Sequence, residues 1–146
     1  MSAERKLPAY WFCPECGRKF AKAKQRHIHG SWTVEEHLAD RPGSSLEVYE
    51  RFVDRLATFG PFEYAPTKNQ IGFQTIRIFA AVRITDRGLQ GYLDLARKEE
   101  SSRFHHVAPF AAGLWLHHFV LRDPSELDEE FTRWMSESVE VGWGAR

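Results

Sequence analysis

A pair of cysteines and a pair of histidines near the start of the chain limit most strongly how its first residues can fold. The segment WFCPECGRKFAKAKQRHIHG contains Cys13, Cys16, His27 and His29. Two residues between cysteines allow a tight turn to direct both thiolates at one ion, and the i, i+2 spacing of the histidines puts both rings on one side of an extended segment. The pattern therefore predicts a small zinc-finger-like module with structural zinc as its cofactor.

The residues around the cysteines favour this turn. Pro14 pre-sets the backbone, and Gly17 can take the positive φ that such turns often need. Phe20 can cover the metal from one side. The intervals between ligands are shorter than in a standard two-Cys, two-His finger, and His37 is an alternative to His29 as the fourth ligand.

Two other interpretations of the cysteine pair stay open at this stage. A thioredoxin-like redox pair would lie at a strand-to-helix junction, and it would leave His27 and His29 unexplained. Alternatively, both histidines lie on the surface of a basic helix beside a free cysteine pair. In the cytoplasm such a pair is more often a metal or redox site than a structural disulfide.

The composition indicates a soluble cytoplasmic protein. The start, MSAERKLPAY, has no apolar stretch of a secretory signal, and no apolar run approaches the ~18 residues of a membrane helix. The chain has 20 basic and 20 acidic residues, so no overall field favours nucleic acid or a membrane.

The charges are nevertheless uneven along the chain. A basic run follows the cysteines and contains no acidic residue: Arg18, Lys19, Lys22, Lys24 and Arg26. These side chains are candidates for contact with nucleic-acid phosphates. The alternative is that they are the solvated face of a module with little core of its own.

The remaining chain predicts helices at both ends of a run of strands. Thr33 with Glu36 forms a capping box for one or two helical turns. Ser44 with Glu47 forms a second capping box, and apolar residues then recur at three- and four-residue steps until Gly60-Pro61. Asp123-Pro124-Ser125 is expected to start the final helix.

Alternating apolar residues between these helices predict an antiparallel meander of about five strands, in FEYA, QIGFQTI, FAAVRIT, LQGYLDLA and GLWLHHFVLR. The predicted fold is therefore α+β, with helices on one face of the sheet and a small zinc-ribbon or finger-like module before it. We divide the chain into a zinc-finger-like module at 1–32, a linker with a short helix at 33–44, and an α+β domain at 45–146.

Most of the chain resembles a known bacterial family. LEVYERFVDRLATFGPFEYAPTKNQIGFQTIRIFAAVRI, with GLQGYLDL, SRFHHVAPF and LHHFVLRDPSELDEEF after it, is similar to the domain of unknown function 5655. CPECGRKF before TVEEHLADRP resembles the zinc-type segment often attached to that domain, although similar chains tend to have cysteine at the position of His29. The resemblance implies no established activity, and similar domains occur in multidomain proteins beside nuclease-like segments.

Four polar residues of the predicted sheet are candidates for a ligand site: Lys68, Arg83, Arg103 and His118. If they converge, they form a cationic pocket for a carboxylate, a phosphate or a nucleotide. The alternative is that they are exposed ion-pair partners and edge residues. The sequence predicts no catalytic residue, because it has no Ser/His/Asp set, no recognisable pair of catalytic carboxylates and no glycine-rich phosphate loop.

These features favour a zinc-binding protein that acts as a binding module rather than as an enzyme, with an anion- or protein-binding sheet surface. Its expected partner is a protein or an anionic ligand, and not a membrane. One alternative is an accessory nucleic-acid-binding protein that uses the basic run. Another is an enzyme of unknown reaction, with a pocket around Lys68, Arg103 and His118.

Overall fold

The computed structural model describes residues 5–27 and 29–145, and it begins with a small hairpin. Strand β1 (Trp11–Phe12) pairs with strand β2 (Lys19–Phe20) in antiparallel register. The turn between these strands carries both cysteines. The fold therefore has the predicted finger-like element ahead of a larger domain.

A six-stranded antiparallel sheet forms the centre of the larger domain, in the order β3-β4-β5-β6-β8-β7. Its strands are β3 (Glu63–Pro66), β4 (Ile71–Gln74), β5 (Ile78–Thr85), β6 (Gly88–Leu95), β7 (His106–Ala111) and β8 (Leu114–Leu121). The predicted α+β class is confirmed, and β7 is the strand that the sequence did not reveal. The predicted meander is wrong at this point, because β8 lies between β6 and β7 and leaves β7 at an edge.

Three helices accompany the sheet in the described part of the chain: α1 (Val34–Leu38), α2 (Gly43–Ala57) and α3 (Glu129–Gly142). Thr33 caps α1 as predicted, since its hydroxyl accepts a hydrogen bond from the Glu36 amide at 3.2 Å. The cap of α2 differs from the prediction. Its N-cap residue is Pro42 and not Ser44, and Pro42 has no side-chain hydrogen bond. Ser45, in the first turn, donates to the Thr85 carbonyl at 2.6 Å.

The final helix also begins later than predicted. Asp123 and Glu126 form a capping box around a short 3-10 turn, Pro124–Glu126. Helix α3 has its own cap five residues after Asp123, where the Asp128 carboxylate accepts a hydrogen bond from the Phe131 amide at 3.0 Å. Asp123 therefore starts only the short 3-10 turn, and Asp128 starts the helix.

The core lies between one face of the sheet and helices α2 and α3. Phe52 of α2 contacts Phe119 of β8, and Phe131 of α3 contacts the same ring, with centroids 6.1 and 5.0 Å apart. Helix α3 approaches the sheet closely at Gly142, where a Cβ atom would lie 2.4 Å from the Thr75 hydroxyl. Alternate strand residues point into this core, and the residues between them line the opposite face.

The short helix α1 packs on the same core through Val34 and Leu38. The division of the chain at 32 and 44 stays a prediction. Within the described residues, no helix is both long and apolar enough to cross a membrane.

Candidate metal centre and adjoining surfaces

The hairpin turn and the segment after it bring the predicted ligands together. One ligand atom from each of Cys13, Cys16, His27 and His29 lies within 4.8 Å of the others. The turn is closed by the Cys13 amide, which donates to the Arg18 carbonyl at 2.8 Å, and by the Gly17 amide, which donates to the Cys13 carbonyl at 2.8 Å. These four residues could therefore hold a metal ion.

The sulfur and nitrogen atoms form two close pairs. Cys13 Sγ lies 3.5 Å from His29 Nδ1, and Cys16 Sγ lies 3.3 Å from His27 Nε2. Gly17 has a φ of 76°, a backbone conformation in which a residue with a Cβ atom would be strained, and so allows the chain to leave the turn. The expected role of this glycine is confirmed.

The second nitrogen of each imidazole has a partner outside the cluster. His27 Nδ1 lies 2.7 Å from the Gln25 carbonyl, and His29 Nε2 lies 3.0 Å from Glu15 Oε2. Metal-binding histidines in proteins are usually held in this way, because a carbonyl or carboxylate fixes the tautomer and the direction of the ring. Both rings are thus oriented for a metal on their other nitrogen.

The surroundings of Cys16 favour its thiolate. Desolvation alone would raise the pKa of this thiol. Hydrogen bonds with the backbone of Arg18 and Gly30 and with the His29 and His27 rings have the larger combined effect, and they lower the pKa to about 6. Thiolates are the form of cysteine that binds metals.

An aromatic side chain covers the cluster on one side, as predicted. Phe20 is 8% exposed, and its ring centroid lies 4.1 Å from that of His27. Trp11 packs on Phe20 at 6.2 Å. His37 is not part of the cluster, because its Nε2 bonds the Thr67 carbonyl at 2.7 Å. His29 is therefore the fourth residue of the group.

The donor set fits a closed structural site. Two sulfur and two nitrogen ligands are those of a tetrahedral zinc ion, and such a site has no open position for a substrate water. Its role would be to hold the hairpin and the His27–His29 segment together, since these residues are too few to form a core of their own.

Comparison with known proteins identifies the family. The model of the family described as Domain of unknown function (DUF5655) matches residues 34–142, which is more than half of the chain. The chain belongs to the DUF5655 family. No curated protein and no solved structure matches the chain. The Cys/His cluster lies outside the residues that the DUF5655 match covers.

The basic run of this DUF5655 protein divides into two parts. Arg18 lies over the rings of Phe20 and Trp32, and its Cζ atom is 5.3 and 5.5 Å from their centroids. Lys19 Nζ lies 3.8 Å from Oε1 of Glu63 in β3. Both face a groove between the hairpin and the sheet, as does Lys22. The other two residues of the run, Lys24 and Arg26, are exposed outside it.

The groove has a volume of about 900 Å³ and an unusual lining. The exposed large hydrophobic residues of the described chain all lie in it: Phe12 is 62% exposed, Ile76 43% and Phe110 62%. Arg77 adds a further cationic side chain, and no described residue that lines the groove is acidic. Apolar anchors and positive charge therefore occur together on this surface.

The four predicted ligand-site residues lie in different places. Arg83 and His118 line a separate cavity of about 280 Å³ on the sheet face opposite the helices. Lys68 is exposed in the β3–β4 turn and does not line this cavity, although the next two residues of the turn do. Arg103 lies apart, where it bonds Asp128 at 2.8 Å and the Glu126 carbonyl.

Other residues of the cavity were not predicted from the sequence. Gln70, Gln90, Tyr92 and His105 contribute to its lining. Burial lowers the pKa of His118, and the neighbouring His106 and His105 lower it further. The alternation within β6 and β8 indicates which side chains share a face, but only the pairing of the strands shows which of them meet.

Proposed function

We propose that this DUF5655 protein is a zinc-organised binding module whose groove takes an acidic peptide segment with large apolar side chains. The metal would fix the hairpin that forms one wall of the groove, and the sheet forms the other. The observation that carries the proposal is that the exposed large hydrophobic residues of the described chain all lie in one groove that is cationic and has no acidic lining residue.

Zinc is the metal that the donor set supports. Two thiolates and two imidazoles match the ligands that zinc takes in structural sites, and the partners of His27 Nδ1 and His29 Nε2 add the outer hydrogen bonds of such sites. Elemental analysis of protein purified without chelators should give about one zinc per chain. Protein with no bound zinc would contradict this part of the proposal.

The chemistry of the groove favours a peptide over single-stranded nucleic acid. Nucleic-acid channels combine positive charge with aromatic platforms for the bases. Aromatic residues line this groove too, but aliphatic residues, among them Ile76, Ile78 and Pro66, lie between them, and these suit the apolar side chains of a peptide better than base faces. Strand β3 is an edge strand, and three of its residues line the groove, so an extended peptide could also reach its backbone groups.

Fluorescence anisotropy with a short labelled peptide tests this assignment. The peptide alternates glutamate with phenylalanine or leucine, and the comparison probes are the same peptide with lysine in place of glutamate and a single-stranded oligonucleotide. We expect binding of the acidic peptide alone, weakened about tenfold or more by Phe110→Ala, because central aromatic anchors contribute most of the affinity in such sites.

A charge-matched pair of variants separates the groove from general electrostatics. Lys22→Glu changes a residue of the groove, and Lys98→Glu makes the same change at an exposed site elsewhere. Only Lys22→Glu should weaken the peptide. Equal effects of both variants, or tighter binding of the oligonucleotide than of the peptide, would contradict a peptide site.

A further inference from the structure

The cavity on the sheet face opposite the helices is built by the register of its strands. Arg83 of β5 pairs with Gln90 of β6, and Tyr92 of β6 pairs with His118 of β8. These two rows of side chains are separated by one row of residues that point the other way. The cavity of about 280 Å³ lies between the two rows.

The floor of the cavity is main chain. Val82, Gly91 and Phe119 lie side by side on the three adjacent strands, and they also line the cavity. The side chains of Val82 and Phe119 belong to the core under the helices. At Gly91 a Cβ atom would lie 2.3 Å from the Ala81 carbonyl, so no side chain fits there. The walls therefore carry the chemistry.

The walls are rich in hydrogen-bond donors and contain no carboxylate. The side chains that supply these donors are Asn69, Gln70, Arg83, Gln90, Tyr92, His105 and His118. Among the described residues, the Arg83 guanidinium has one hydrogen bond, to the neutral Gln90 amide at 3.1 Å, and it forms no ion pair. The amide holds the guanidinium in place without neutralising its charge.

We propose that this cavity is a second binding site, for a small phosphate-bearing molecule. A guanidinium, imidazoles and side-chain amides approach the space from both rows and from the β3–β4 turn. Such a set suits a tetrahedral oxyanion, which accepts hydrogen bonds from several directions, better than a planar carboxylate. The volume lies just below the usual range of ligand pockets and so suits a small ligand.

This site is independent of the peptide groove. No described residue lines both spaces, and the metal ligands do not contribute to the cavity. Phosphate binding to the cavity is tested in protein that retains its metal. The result does not depend on whether the groove binds a peptide.

Nuclear magnetic resonance provides the test. Inorganic phosphate is titrated into the ¹⁵N-labelled protein, with acetate and chloride at equal ionic strength as comparison anions. We expect phosphate to shift the side-chain resonances of Arg83 and His118 in a saturable way, and acetate and chloride to leave them unsaturated.

A matched pair of arginine variants makes the test specific. Arg83→Gln should weaken phosphate about tenfold or more, because it removes a charged hydrogen-bond donor from the site. Arg87→Gln is the control, since Arg87 is exposed two residues after the end of β5, the strand that carries Arg83, and does not line the cavity. Both residues are exposed, so both variants should fold, which circular dichroism checks. Equal phosphate affinity of the two variants, or equal saturation by acetate, would overturn the proposal.

Discussion

The buried imidazole of His117 shows how one residue in β8 is held at a core position. Its ring is fully buried, Nδ1 bonds the Trp115 carbonyl at 3.0 Å, and Nε2 accepts the Glu99 amide at 2.9 Å. The Trp115 carbonyl accepts a hydrogen bond from protonated Nδ1, and the Glu99 amide requires an unprotonated Nε2, so the two partners together select one neutral tautomer. Burial lowers the pKa of His117, and the charge of Arg97 lowers it further, against hydrogen bonds that act in the other direction.

This lowered pKa makes the stability of the domain depend on pH. In the unfolded chain His117 takes up a proton near its ordinary pKa of 6.5, whereas the folded chain resists this protonation. The free energy of unfolding should therefore be constant above that pH and fall below it, with a slope of at most about 1.4 kcal/mol per pH unit from this residue. Urea unfolding at pH values about one unit above and below 6.5 measures the change.

His117→Gln isolates the contribution of this residue, because glutamine does not titrate in this range. The variant should be less stable than the wild type above the pKa, and its stability should decline less as the pH falls. The control is His106→Gln, which changes an exposed residue of the edge strand β7. A wild-type pH dependence that persists unchanged in His117→Gln would refute this origin. His118, whose pKa is also lowered, contributes in the same direction, and by less in either variant, because His106 and His117 are among the residues that lower it.

At the scale of elements, the parts that the sequence predicted are those fixed by local spacing. The metal ligands come from one short segment, and helix α2 and strands β5 and β6 follow apolar periodicity. Strand β7 was not predicted, because its residues are mostly exposed and include Pro109, so they show no apolar alternation. The cavity could not be predicted, because Arg83 and His118 meet only through the pairing of both their strands with β6.

The hairpin element and the sheet should respond differently to loss of the metal. Cys13→Ser removes one ligand, so the hairpin should lose its order while the sheet and helices keep theirs, because these have their own core. Hydrogen exchange followed by mass spectrometry should show amides near β1 and β2 exchanging at rates close to those of an unfolded chain. Peptides from β5, β6 and β8 should keep their protection.

The matched control is Ala23→Ser, an equally small change at an exposed position of the segment between β2 and His27. It should retain zinc and the protection of the hairpin. If Cys13→Ser exchanges as slowly as this control, the metal does not order the hairpin. If the central strands lose protection together with the hairpin, the two parts do not fold separately.

Across the whole molecule, several contacts attach the hairpin region to the domain. Arg5 forms two hydrogen bonds of 2.6 Å with Glu140 of α3, and Tyr10 donates its hydroxyl to the Thr75 carbonyl at 2.5 Å. Arg5 thus forms an ion pair with the acidic final helix α3, whereas the described contacts of Arg18 and Lys19 are with other parts of the molecule. The Arg5–Glu140 pair is exposed, so we expect it to contribute little to stability.

Tyr10 should matter more than Arg5, because its hydrogen bond is partly buried and closes the end of strand β4. Tyr10→Phe keeps the ring and removes one hydrogen bond, which costs about 1 kcal/mol, or roughly a fivefold increase in opening of the hairpin from the sheet. Hydrogen exchange of β1 and β2 should rise by this factor while the zinc content stays unchanged. Arg5→Gln is the comparison and should change exchange much less. Since the groove needs both walls, the acidic peptide should bind the closed form and slow the exchange of β1 and β2 in Tyr10→Phe, whereas phosphate in the cavity should leave this exchange unaltered. A saturating acidic peptide that leaves the exchange of β1 and β2 as fast as in the free variant would mean that the hairpin is not a wall of the binding site.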